Sequence, residues 1–245
     1  MGVYSRMNRA KQIAKTTQYR HAIQPLIVLF VIFILLATGT AFRALGETKE
    51  KTSAHSPERA ADIIDIREVN PHVIVDMRYA TEDNFTKKRL YDSNSCFLRK
   101  STALKLDAVQ KELERMNLGL KVWDCYRPLS VQWAFWAILP DERYVANPKK
   151  GSRHNRASAV DLTLVDSQGK ELQMPTEFDD FSLRAGHRYQ DLPAQAIRNR
   201  ELLKGLMEKA GFVPLPEEWW HYDDENWMQF DIMDVRFQDL LKHQN

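Results

Sequence analysis

Only two cysteines, Cys96 and Cys125, occur in 245 residues, and glycine and proline number just nine and ten. So little cysteine excludes a disulfide-dense miniprotein. So little glycine and proline, beside 44% hydrophobic and 28% charged residues, excludes a collagen or a disordered tail protein. There is no internal repeat, no low-complexity tract, no C-x-x-C and no H-E-x-x-H. Acids are missing from residues 1–21, and charge of either sign is missing from residues 22–42.

What is present explains the second pair of absences. The net charge is +2, but residues 1–21 carry Arg6, Arg9, Lys11, Lys15 and Arg20, so the rest of the chain is net −3. The basic balance belongs to a short head, and the body has no electrostatic footprint for nucleic acid. A helix over 22–42 would be roughly 30 Å long, enough for a bilayer core. Either it is a signal peptide cut near Ala41, after Gly39-Thr40-Ala41, or it stays as an anchor. Both readings keep the head in the cytoplasm and export the body. The protein is therefore expected at the inner membrane facing the periplasm or outside, or free in the periplasm after cleavage. Residues 43–60 read as a polar linker, and 61–245 as the domain, its folded part running from about Asp62 to about Leu241. In an oxidising compartment a lone cysteine pair is usually bridged. Two buried thiols, or a nucleophile or ligand, are the alternatives for Cys96 and Cys125.

Hydrophobic patterning predicts strands over 73–79, 120–124, 159–166 and 219–222. Helices are predicted over 101–116, capped by Ser101 or Thr102 and ended by Gly119, over 131–138, and over 193–210, closed by Gly211. Strands and helices mix without regular βαβ units. The expected class is α+β, with a mostly antiparallel central sheet flanked by helices.

Three constellations can carry chemistry. Asp161 lies in an apolar strand, where a carboxylate must be paired, hydrogen-bonded or metal-bound, and the loop before it supplies His154. In Glu218-Trp219-Trp220-His221 two tryptophans make an apolar wall that raises a carboxylate's pKa, which suits a general base. An extended chain would put Glu218 and His221 on opposite faces, and a bend would bring them together. His154, Asp161 and His221 form a ligand set that zinc accepts in catalytic sites, with Glu218 as proton shuttle. In Asp124-Cys125-Tyr126-Arg127-Pro128, Arg127 can face a developing oxyanion while Asp124 orients it.

Ser152-x-His154-x(6)-Asp161, Glu218-Trp-Trp-His221 and Asp124-x-Tyr-Arg127-Pro128 together resemble the VanX-type D-alanyl-D-alanine dipeptidases. Met77-Arg78-Tyr79-Ala80-Thr81, followed by Asp83-Asn84-Phe85-Thr86, does so too. The likeness covers about residues 62–225. It implies a Hedgehog/D,D-peptidase-like fold and one Zn²⁺ per chain on His154, Asp161 and His221. It implies Glu218 as base and then acid, and Arg127 on the tetrahedral intermediate. Asp179 would hold the substrate ammonium, Asp124 and Tyr79 would line the pocket, and Ser152 would support the substrate or its loop. The partner implied is the small dipeptide D-Ala-D-Ala in peptidoglycan turnover, with no nucleic acid; protein partners stay open. A D,D- or L,D-carboxypeptidase of the same fold and a non-catalytic wall-binding module are the rivals. Two positions depart from the pattern. Ala157 and Lys87 stand where the family has glycine, and a positive φ at Ala157 would cost about 1 kcal/mol.

Overall fold

A computed structural model of the chain describes residues 62–242. The head, the apolar segment 22–42, the linker and residue 61 lie outside the described residues. Among the described residues, no helix is long and apolar enough to cross a membrane.

The strands are β1 (Ile63–Asp65), β2 (Ile74–Val75), β3 (Phe97–Arg99), β4 (Leu118–Asp124), β5 (Ala159–Asp166), β6 (Phe212–Pro214) and β7 (His221–Asp224). The helices are α1 (Ile66–Val69), α2 (Lys100–Glu114), α3 (Leu129–Ile138), α4 (Ala194–Lys209) and α5 (Phe237–Lys242). The main sheet has the order β2-β4-β5-β7-β6, and β1 and β3 form a separate antiparallel ribbon. Only the β2–β4 pairing of the main sheet is parallel. The α+β class with a mostly antiparallel sheet therefore holds.

β5 is the central strand and is buried on nearly every residue, its apolar run broken only by Asp161, Thr163 and the terminal Asp166. α2 turns Ala103, Leu106, Val109 and Leu113 inward at helical spacing, which gives one apolar stripe for the core. Its expected cap is different. Arg99 holds the N-cap position without a side-chain bond, and Thr102 instead donates to the buried Asp224 carboxylate at 2.7 Å.

Two predicted strands are shorter than expected. Residues 73–79 pair only at Ile74–Val75, then enter a 3-10 turn at Arg78–Ala80 that buries Tyr79. Residues 219 and 220 belong to a turn closed by the His221 N–H on the Glu218 carbonyl, so β7 begins at His221. β1, β3, β6 and α5 are too short for a periodic signal.

Both glycine-replacing residues sit in the left-handed region, Ala157 at φ 56° and Lys87 at φ 53°. At Ala157 the condition under which alanine carries a cost is met, and the residue ends the 3-10 turn that carries His154. Asp179 shares this conformation at φ 61°, which Asp tolerates better than most residues.

Candidate active site and metal centre

The strand register builds the site. Asp124 of β4, Asp161 of β5 and His221 of β7 are direct partners across three adjacent strands. A bulge between Val122 and Asp124 produces this row, because an unbroken ladder would set Trp123 opposite Asp161. His154 enters from the turn at the start of β5. Its backbone N–H is met by Ser152 Oγ at 3.2 Å, so Ser152 shapes the loop that presents the imidazole.

Three acceptor atoms converge here. His221 Nδ1 is 2.9 Å from Asp161 Oδ1, and His154 Nε2 is 3.2 Å from His221 Nδ1 and 3.4 Å from Asp161 Oδ1. All three residues are buried. Each imidazole has its other nitrogen engaged: His154 Nδ1 with the Cys125 carbonyl at 2.6 Å, and His221 Nε2 with Asp223 Oδ1 at 2.9 Å. The Cys125 carbonyl fixes the N–H of His154 on Nδ1 and leaves its Nε2 lone pair facing the cluster. His221 has a carboxylate at each nitrogen, so without a metal a proton sits between it and Asp161, in the place a cation would take. His154, Asp161 and His221 can together hold a metal ion. The charges show the same need for a positive centre. Burial opposes ionisation of Asp161, but His154 and His221 hold it below the usual carboxylate range. Burial opposes protonation of His221, yet Asp223 and Asp161 raise it well above the ordinary imidazole value.

Glu218 lies on the same cavity, whose volume is about 230 Å³ and whose wall also includes Arg127, Ser152, Arg153 and Tyr144. Burial pushes its pKa up to about 8. The bend that carries it to His221 is the turn between β6 and β7.

Arg127 is aimed from behind. Its Nε and Nη2 donate to Asp124 Oδ2 at 3.0 and 2.6 Å, and Nη1 donates to Gln132 Oε1 at 2.8 Å. The guanidinium lies 4.4 Å from the Phe135 ring centre. Asp124 is fully buried and also accepts from Tyr91 and its neighbour's N–H, so it does not line the cavity as expected. It holds Arg127, the role read from the Asp124–Pro128 segment. Tyr79 is likewise buried under the site, and its hydroxyl donates to Asp179 at 3.0 Å. The Phe85 N–H meets the second Asp179 oxygen at 3.1 Å. Burial raises the Asp179 pKa to about 7, and the charges of Asp161 and Arg127 reach it there.

Cys96 and Cys125 are bridged, which leaves no free thiol among the described residues. The bridge ties the ribbon to the end of β4, next to the carbonyl that orients His154. Sequence reasoning missed several supports. Asp223 had a signal, since two residues past His221 it must share that strand face. Gln132, Tyr91 and Asn155, whose amide spans the Arg127 carbonyl and the Ser152 N–H, had none.

A family model described as D-ala-D-ala dipeptidase matches residues 59–241. The chain is 35% identical over 162 residues to a D-alanyl-D-alanine dipeptidase of Escherichia coli K12, covering 66% of this chain and 84% of that protein. D-alanyl-D-alanine dipeptidases of Enterococcus faecalis V583 and Enterococcus faecium are 34% and 33% identical over 168 residues. For both, the match covers 60% of this chain and 83% of the relative.

Proposed function

This chain belongs to the D-ala-D-ala dipeptidase family of metallopeptidases, and from that membership we propose that it hydrolyses free D-alanyl-D-alanine to two D-alanines, with zinc, in peptidoglycan turnover. The observation that carries the reading is the convergence of His154 Nε2, Asp161 Oδ1 and His221 Nδ1 beside a buried Glu218. Zinc suits the donor set. Two imidazoles and one carboxylate are ligands it takes, and bonds of about 2.0–2.2 Å place tetrahedral ligand atoms about 3.3 Å apart. The atoms here are spaced at 2.9–3.4 Å.

A zinc ion bound there supplies a Lewis acid that polarises the peptide carbonyl and makes water more acidic. The chain's own groups do the rest. Glu218, its basicity raised by burial, takes the proton from the attacking water and passes it to the leaving amine. Arg127, held rigid by Asp124 and Gln132, donates to the carbonyl oxygen as negative charge develops on it. Asp179, fixed by Tyr79 and the Phe85 N–H, receives the substrate ammonium, whose charge favours the ionised carboxylate. Ser152 keeps the His154 turn in place. Export, which brings the enzyme to the cell wall, is read from residues 1–42.

The test is to purify the chain, quantify zinc, and assay D-Ala-D-Ala against L-Ala-L-Ala and an N-acylated analogue. One zinc per chain, with turnover of D-Ala-D-Ala alone, is expected. Turnover of the acylated peptide at a comparable rate contradicts the role of Asp179 and the dipeptidase reading.

A further inference from the structure

A free dipeptide brings two charges into the cavity, and only its ammonium has so far been given a partner. The carboxylate needs a cation with unused donors, and the cavity wall contains three arginines, Arg127, Arg143 and Arg153. Arg127 is buried, spends three of its five N–H on Asp124 and Gln132, and turns the rest to the scissile carbonyl in the mechanism above. Arg143 points outward, with Nε and Nη2 both bound to Asp141. Arg153 differs from both. Its Nε lies 3.4 Å from Asp223 Oδ2, its guanidinium sits 4.6 Å from the Trp227 ring centre, and its side chain is 41% exposed. Asp223 and Trp227 thus hold the guanidinium in place while its terminal nitrogens make no hydrogen bond to any described residue. The acids of the same wall do not claim it either: Glu142 is bound by Lys150 and Asn147, and Glu217 is exposed at the rim.

Position agrees with chemistry. Arg153 is held by Asp223 on β7, two residues beyond the ligand His221 on the same strand face, so its guanidinium stands beside the metal ligands on the wall of the cavity.

We propose that Arg153 receives the C-terminal carboxylate of the substrate and so makes the free acid a requirement for efficient turnover. This deepens the dipeptidase reading and rests on it. The residue acts on binding and specificity, not on the bond being broken.

Steady-state kinetics of the full zinc-loaded chain on D-Ala-D-Ala and on its C-terminal amide test the assignment. Charge-assisted hydrogen bonds of the usual strength give the free acid at least about a tenfold advantage in kcat/KM. Arg153→Gln is expected to lose that advantage through KM, leaving the slow turnover of the amide within about twofold and the zinc content unchanged. Arg153→Lys should restore part of it. Wild-type enzyme with an acid-to-amide ratio near one overturns the proposal without any variant. So does an Arg153→Gln enzyme that loses both substrates equally or keeps the wild-type ratio. No turnover of D-Ala-D-Ala by the wild type overturns the dipeptidase reading itself.

Discussion

Replacing Asp124 by Asn leaves its shape intact and removes one buried charge. The carboxylate now accepts from Tyr91 Oη at 2.7 Å, from its neighbour's backbone N–H at 2.9 Å and from Arg127 at 2.6 and 3.0 Å, with no exposure to solvent. An amide keeps its oxygen on the first two donors only by turning its own NH₂ toward the guanidinium. Arg127 then becomes a buried cation facing a donor. Breaking a buried pair this way costs about 3–5 kcal/mol, a large share of the about 5–15 kcal/mol that holds a domain together. Urea unfolding of the metal-free chain should show the loss as a lower midpoint with an unchanged slope. The catalytic effect should fall on kcat, by about a hundredfold, because Arg127 loses its aim at the oxyanion. Arg127→Met strands Asp124 in the same manner, whereas the double variant removes both charges. The two losses should therefore fall short of adding by at least about 2 kcal/mol. A cost below about 1 kcal/mol for Asp124→Asn, or additivity within about 0.5 kcal/mol, refutes the reasoning.

Three further outcomes follow from the same contacts. Converting both cysteines to alanine opens a bridge between residues 29 apart in sequence. By loop-closure entropy that should cost about 3.6 kcal/mol in urea unfolding, and an unchanged midpoint contradicts it. Asp223→Ala frees the far nitrogen of His221 and should weaken zinc binding by about 10–100-fold in a chelator competition, with Asp223→Asn in between. Glu218 titrates near 8 in the metal-free chain because burial penalises its charged form. A folded pKa above the unfolded one means stability present at low pH is lost as pH rises through the window up to about 8. The thermal midpoint of the metal-free chain should therefore drift down across neutral pH, and Glu218→Gln should flatten that drift.

Much of the site is legible in the chain because its parts are local. His154 sits in a turn just before an apolar strand, Asp161 interrupts that strand, and Glu218 is three residues from His221. Packing decided what was not legible. The segment 124–128 already shows Asp124 orienting Arg127, but the pocket-wall place that the family resemblance implies for it fails, because the bulge at Trp123 sends it under the site, where four donors neutralise it. Tyr79 appears to end a strand, but the chain leaves the sheet at Val75 and the ring is buried to hold Asp179. Tyr91 and Gln132 serve the site across sequence distances that carry no pattern. The alternation of Glu218 and His221 in an extended chain would have split the site. The turn at residues 218–221 rejoins it, and two adjacent tryptophans fully buried against Trp123 and Phe178 keep that turn closed.

The most direct measurement is paired zinc content and D-Ala-D-Ala turnover in wild type and Glu218→Gln. If His154, Asp161 and His221 hold the metal and Glu218 moves the proton, both proteins bind one zinc and the variant loses turnover by orders of magnitude. Full turnover in Glu218→Gln, or zinc retained at wild-type affinity after His221→Ala, contradicts the assignment.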